Sequence, residues 1–587
     1  MKGFFKTLLA SFLGVFAAMF LGVIVLVGIV SAAGAASETT PVVPDSAILK
    51  IGGNLTLAEQ SSDGDFDPSA LFAGGSMNAT KQVGILSAIQ AIEKAASDPA
   101  IKFIYINPSQ VNGAISHLEE FRTALVKFKE SGKAIISYSE TYSQGGYYLA
   151  SVADKMYVHP YGGNMVFGVS TSLMFLKGAL DKLGIEVQLI RHGKYKSAGE
   201  QFVNTNISEA NREQNQAMIT SLWNSISEEI CKSRNLDLKK FNAHVDNLSA
   251  TQPEEMVAAG MADGIMTRDE MTAELAGLFG VEKEDDIKMI TLDKYAKAVI
   301  KPNVKATDKI AIIYANGEIV DSGEGISPSK YTKVISDVRK DSTIKAVLLR
   351  VDSPGGSAIA AEIIRKELEL LRKEKPVVVS YGSYAASGGY WISAECDKIF
   401  TNETTLTGSI GVFSMIPNIE KIVKEKARIN IVNINSNEHS DMMTMTKPLD
   451  RAETAYMQKG VEVIYDTFLS IVANGRDMTT QEVDKIAQGR VWSGTDAIKV
   501  DLADEIGTIY DALNYTINIS ELEDYQLVEY PKVKSQMEKI MESFGNAESA
   551  ISRLSDPDIA LEDMVQELKQ MSRTVYARME YDYVFQN

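Results

Sequence analysis

The sequence predicts an α/β fold class: two duplicated domains in tandem behind an N-terminal transmembrane helix, with a helical C-terminal tail. Three observations predict it. The chain repeats itself at an offset of 243 residues, so that "YSETYSQGGYYLASVADKMY" (138–157) answers "YGSYAASGGYWISAECDKIF" (381–400). Within each copy, buried-strand runs alternate with helical runs, an order that implies right-handed crossovers and a mainly parallel sheet. Near the start, an uncharged stretch runs from Thr7 to Ser37, longer than the ~20 apolar residues a bilayer core requires.

Residues 1–37 read as a cytoplasmic stub and membrane anchor. The apolar heart, Leu8 to Val30, exceeds the ~7–15 residues of a signal-peptide core, although "SAAGAAS" after it has the small residues of a cleavage site. Lys2 and Lys6 on the short side place the N-terminus in the cytoplasm and the rest of the chain across the membrane.

Residues 45–300 read as the first copy. "IKFIYIN" is a strand, "SHLEEFRTALVKFKE" a helix and "KAIISYS" the next strand. Residues 307–530 read as the second. "KAVLLRVDSPGG" is a buried strand ending in a turn, and "SAIAAEIIRKELELLRKE" has helical spacing, with Ile363, Ile364, Leu368 and Leu371 on one side. "PVVVSYGS" is a strand, "AASGGYWISAEC" opens a helix, and "KIFTNETTLTGSIGVFS" is strand and turn. Pro302 and Asn303 break structure at the join. The two copies match without a gap from about 101 to 169; farther on, Ala262-Asp263 matches Ala503-Asp504 at offset 241. The tail, 531–587, is rich in Met, Glu and Lys and reads as a helical packing arm or oligomer contact, without chemistry.

Composition narrows the function. A net charge of −18 lacks the basic footprint of a nucleic-acid binder. Cys231 and Cys396 are the only cysteines; they are too few for a metal cluster or a disulfide framework, and they read as isolated buried thiols, with one disulfide as the alternative.

The chemistry gathers at Ser387. It follows a buried strand and precedes a helix, whose first N–H groups and positive dipole end suit an oxyanion. Gly388 and Gly389 remove side-chain bulk beside it, and "DSPGGS", Asp352 to Ser357, offers a second set of N–H groups after the neighbouring strand. A helix N-cap and a plain turn would use the same residues. A serine nucleophile needs a base. None of the five histidines sits in a triad-like phrase, though their count leaves a triad open. Lysine is the other option if burial or nearby positive charge lowers its pKa. Lys196, in "RHGKYKSAGEQF", is one candidate among dozens of lysines.

The phrases "GKYKSA", "VDSPGGS", "YAASGGYWIS", "TLTGSIGV" and "GRVWSGTDAI", in that order along the chain, resemble the signal peptide peptidase A (protease IV) family in its long tandem-domain form. The resemblance runs from the N-terminal anchor to about residue 530. It implies two ClpP/crotonase-like domains and a membrane-anchored serine endopeptidase that degrades remnant signal peptides and other apolar peptides. It implies a Ser–Lys dyad with Ser387 as nucleophile and Lys196 as general base. Gly356 and Gly388 fall on its oxyanion-hole positions, Gly355 supports the turn, and Ser409 falls on a serine that orients the lysine. It implies no cofactor or metal and no nucleic-acid partner. It also implies a homotetramer in the bacterial cytoplasmic membrane, with the catalytic body on the periplasmic or extracytoplasmic side.

The offset then adds an inference of its own. Shifting Lys196 by 243 residues reaches His439, and shifting Ser387 back reaches Gln144. Val166 stands opposite Ser409, and "NPSQVNGA" stands where "VDSPGGSA" would be. Each copy has lost the half of the dyad that the other kept, so one site must join a first-copy lysine to a second-copy serine. Two other functions compete: a crotonase-like acyl-CoA enzyme, and a non-catalytic envelope scaffold.

Overall fold

The computed structural model describes residue 14 and residues 41–62, 81–533 and 574–579. The anchor expected over 1–37 lies outside the described residues apart from Gly14, as does most of the tail. Among the described residues no helix is long and apolar enough to cross a membrane.

The two copies build the same sheet twice. The first has the strand order Met289–Thr291, Ala47–Ile51, Ile101–Ile106, Ile135–Ser143, Lys155–Met165 and Gly264–Ile265, with every neighbour parallel. The second runs Gln526–Tyr530, Lys309–Asn316, Ile344–Ser353 and Val377–Ala386 in the same order. There the next strand is split into Lys398–Thr401 and Leu406–Gly408, and Glu505–Ile506 pairs with the former.

Strand alternation explains how the copies pack. In "IAIIYA" of Lys309–Asn316, Ile310, Ile312 and Tyr314 join the core of the first copy, while Ala311, Ile313 and Ala315 face the second copy's own helices. Side chains on a strand point alternately to either face, so a run apolar at every position is what a parallel sheet covered on both sides requires. The helix after the Gly355–Ser357 turn runs Ala358–Arg372, with Ile364, Leu368 and Leu371 buried. Ile363, expected on that side, is 45% exposed; the buried stripe instead continues through Ala360 and Ala361, one helical turn back. Both cysteines are free and buried.

Charge is buried between the copies. Arg350, on the central strand of the second sheet, reaches Glu59 Oε2 at 2.8 Å and Glu120 Oε1 at 2.7 Å, both from the first copy. Its remaining donors meet Ser380 Oγ at 2.8 Å and the Tyr381 carbonyl at 2.9 Å. Glu120 also accepts from Asn402 Nδ2 and the Ile509 N–H, and Glu119 from the N–H groups of Glu403 and Thr404. First-copy carboxylates thus meet second-copy donors, and few of these partners reach water.

His117 Nε2 lies 2.9 Å from Glu59 Oε1 in the same cluster. Burial lowers the His117 pKa, but the hydrogen bond and charge of Glu59, with the charge of Asp352, raise it on balance. Burial would raise Glu59, yet Arg350 and His117 bring it down to about 2. Burial and the Glu59 charge push Asp352 up to about 6. The raised histidine contributes stability that is complete below its unfolded pKa and is lost as pH rises through its folded pKa. The Asp352 contribution is already lost by about pH 6 and the Glu59 one fades only at acid pH. Burial and the Glu229 charge push Glu119 up to about 8, so its contribution is lost in the same alkaline direction. We expect Tm to fall as pH rises above the ordinary histidine range and His117→Gln to make that fall shallower, measured by calorimetry in matched buffers. An unchanged slope in the variant would exclude His117 as its source.

A third, four-stranded sheet ties the copies and the tail together: Gly355–Ser357, Tyr576–Arg578, Val412–Asn418 and Glu186–His192, all antiparallel. The described part of the tail is therefore a strand and not the expected helix. It lacks hydrogen-bonding partners of its own until it lies between two open strand edges.

Candidate active site

Ser387 ends the strand Val377–Ala386, and the helix Gly388–Ser393 starts at the next residue. Its backbone sits at φ 55°, ψ −111°, a conformation that costs a side-chain-bearing residue on the order of 1–3 kcal/mol. Two backbone bonds hold it there: its N–H donates to Gly408 O at 2.8 Å, and its carbonyl accepts from Trp391 N at 2.7 Å. The side chain does not cap the helix. The turn in the first copy is relaxed instead. Ser143 at φ −66° caps its helix by accepting from Gly146 N, and Gln144 Oε1 accepts from the N–H groups of Phe167 and Gly168. The glutamine has taken a structural role where the second copy keeps a strained, uncapping serine.

Lys196 reaches this serine by strand exchange. Glu186–His192 of the first copy pairs with Val412–Asn418 of the second over seven residues. The chain then turns at Gly193 (φ 114°), and the Tyr195 N–H donates to Gln488 O at 2.8 Å. Lys196 is fully buried. Its Nζ lies 3.2 Å from Ser387 Oγ, 2.8 Å from Ser409 Oγ and 3.3 Å from Ser409 O. Arg191 Nη1 holds the Lys196 carbonyl at 2.6 Å and Glu200 Oε1 at 3.1 Å, which fixes the loop from the other side. Ser409 itself is at φ 47°, so its Oγ is aimed by backbone strain as well. His439 is elsewhere, half exposed and 3.3 Å from Glu453.

One residue escaped the sequence reading. Gly489, in "GRVWSG", packs so closely against the lysine that a β-carbon there would stand 2.5 Å from Lys196 N and Cβ. Its φ of 80° adds strain for any other residue. Gly489→Ala should push Lys196 away from the serine and lower kcat by about 10²-fold while the far-ultraviolet spectrum is preserved. A variant with unchanged kcat would show that the lysine tolerates displacement. The quoted phrase contained this glycine, but only the spatial neighbour gives it a purpose.

The second predicted motif faces the same spot. Gly355 and Gly356 are at φ 96° and φ 156°. A β-carbon on Gly356 would come within 1.9 Å of Ile319 O, and one on Gly355 within 2.6 Å of Gly388 N. The Gly355-Gly356 turn and the start of the Ser387 helix thus touch, as neighbouring strand ends must.

The groove beside them holds the tail strand. Gly356 pairs with Ala577 and Phe413 with Tyr576, and Lys196 Nζ donates to the Arg578 carbonyl. No sequence signal had placed residues 576–578 near the chemistry; the alternation in "VYARM" was the one available hint of a strand.

A hydroxyl and an amine at bonding distance, shielded from water and flanked by backbone N–H groups, can perform acyl transfer without a metal.

Comparison with known proteins agrees in kind. The model of peptidase family S49 matches residues 127–282 and 369–522, once in each copy. The chain is 33% identical over 511 residues to Protease 4 of Haemophilus influenzae, covering 84% of this chain and 83% of that protein. It is 33% identical over 483 residues to Protease 4 of Salmonella typhi, covering 80% and 77%. It is 30% identical over 505 residues to the chloroplastic serine protease SPPA of Arabidopsis thaliana, covering 83% and 72%. With a tandem match to the family model and relatives aligned over most of their length, this chain belongs to peptidase family S49 and is a serine endopeptidase.

Proposed function

We propose that this chain cleaves apolar peptides, remnant signal peptides among them, with Ser387 as nucleophile and Lys196 as general base. The observation that carries the reading is the buried 3.2 Å approach of Lys196 Nζ to Ser387 Oγ across the two copies. The neutral amine takes the hydroxyl proton as Oγ attacks the peptide carbonyl. The N–H groups of Gly356 and Gly388 stabilise the oxyanion. Lys196 then returns the proton to the leaving amine, and water hydrolyses the acyl-enzyme. Ser409 Oγ, at 2.8 Å, holds the amine in register.

The test is cleavage of a synthetic signal peptide by the purified protein, with fluorophosphonate labelling to locate the nucleophile. Labelling at Ser387 together with peptide cleavage is expected. Thioester hydrolysis without peptide cleavage would instead support the acyl-CoA enzyme, and loss of both would support the scaffold.

The reading includes a bacterial membrane anchor over residues 1–37, supported by the uncharged stretch there, with the body outside the cytoplasm. It also includes a homo-oligomer, a tetramer by family resemblance. Its support is quasi-equivalence: the pair Glu186–His192 and Val412–Asn418 has counterparts 243 residues away, at 429–435 and 169–175. In the described chain those counterparts are unpaired, and Val432 and Ile434 are 81% and 95% exposed. A second copy would pair them head to tail, the type of interface that closes into rings. Light scattering that reports a single chain would overturn this part.

A further inference from the structure

The tail strand lies in the groove as a peptide substrate would, and its register shows what the groove selects. Ala358 N–H donates to Val575 O at 3.1 Å, and Met579 N–H donates to Pro354 O at 2.7 Å. In an antiparallel pair, hydrogen-bonded rungs alternate with open ones. The Gly356–Ala577 rung is two steps from each of those bonds, so it is a bonded rung too, with Gly356 N–H donating to the Ala577 carbonyl. A β-carbon on Gly355 or Gly388 would come within 2.2 or 2.9 Å of that same oxygen. The Ala577 carbonyl therefore occupies the position assigned above to the oxyanion, and the next carbonyl, that of Arg578, accepts from Lys196 Nζ. The peptide bond presented to the serine is Ala577–Arg578.

With that bond fixed, side-chain alternation sorts the subsites. Tyr576 and Arg578 point to the half-exposed face: Tyr576 stacks on Phe413 with centroids 5.5 Å apart, and Arg578 Nη1 lies 3.3 Å from Glu318 Oε1. Ala577 and Met579 point inward. Ala577, before the bond, is fully buried. Met579, the second residue after the bond, is 2% exposed among Met218, Leu222, Ala386, Leu406 and Val491. Met218 and Leu222 come from the first-copy helix Glu209–Arg234; the other three come from the second copy.

We propose that the site selects peptides on both sides of the cut: a small residue before it, and a large apolar residue two positions after it, read by a pocket walled by Met218 and Leu222. The inference rests on the Ser387–Lys196 reading and adds the substrate class. It gives the first copy a second task besides the lysine: one wall of the leaving-side pocket. A segment that is apolar along one strand face, interrupted by a small residue, is the preferred substrate.

The test uses the full chain and a set of synthetic peptides built on Thr-Val-Tyr-Ala-Arg-Met, changed one position at a time. Replacing Met by Asp is expected to lower kcat/KM by about tenfold or more, and replacing Arg by Gln to change it by less than about threefold. Enlarging the pocket with Leu222→Ala should shift the preference at the Met position toward Phe or Trp, read as a ratio of rates within the variant, so that a general loss of activity does not enter. Mass spectrometry of products should place the cut after Ala. A flat profile at the Met position with cleavage intact, or a cut elsewhere, overturns the inference and leaves the dyad standing. Failure to cleave any peptide overturns the dyad reading and this inference with it.

Discussion

Lys196→Arg is expected to abolish peptide cleavage as completely as Ser387→Ala, each lowering kcat/KM by about four orders of magnitude or more. Arginine keeps the length and positive charge of lysine but stays protonated at any pH a protein tolerates. It therefore separates two roles. A lysine that served only as a fixed cation for the oxyanion would be replaced by arginine with substantial activity left. A lysine that must accept the Ser387 proton would not. Lys196→Met, similar in volume and without polar atoms, should fail equally while suiting the fully buried site. The measurement is hydrolysis of a fluorogenic apolar peptide, with calorimetry to confirm that each variant is folded. Appreciable turnover by folded Lys196→Arg would remove Lys196 as the base and return attention to the histidines.

Arg350→Met should destabilise the protein by about 3–5 kcal/mol, because it leaves carboxylates buried without their cation. Glu120 loses its ion-pair partner, Glu59 keeps only His117, and Ser380 Oγ and Tyr381 O lose a donor. The same reasoning predicts partial rescue. In Arg350→Met combined with Glu59→Gln and Glu120→Gln, the two carboxylates that faced Arg350 no longer carry charge, so denaturant unfolding should recover part of the loss. Equal stability of the single and triple variants would mean that the carboxylates find other partners. Activity should fall along with stability, since Arg350 is two residues before Asp352 on the strand that leads into the Gly355-Gly356 turn.

Much of the fold was legible because it repeats. A buried parallel strand followed by an amphipathic helix leaves a pattern in any sequence, and seeing it twice at one offset confirmed each reading. The same offset set Gln144 opposite Ser387 and His439 opposite Lys196. Gly489 was not legible, since its role is only to leave room for a side chain almost 300 residues earlier. The charged cluster was equally hidden: Glu59, Glu120 and Arg350 look like ordinary surface residues until packing puts them at 2.7–2.8 Å. Most of the tail expected to be helical lies outside the described residues; composition, which averages over the whole region, could not single out the short strand Tyr576–Arg578.

The sequence by itself determined that there are two α/β copies, that the second has Ser387 where the first has Gln144, and that a site, if there is one, must be shared. These follow from local periodicity and from comparing the chain with itself. Only the tertiary structure brought Lys196 beside Ser387 within one chain, through the exchanged strand Glu186–His192, and laid the strand Tyr576–Arg578 along Gly355–Ser357 with Ala577 at its centre. The reason is physical. Strand pairing uses backbone N–H and C=O groups that every residue carries, so which edge pairs with which is set by proximity in the folded chain and leaves little trace in residue identity.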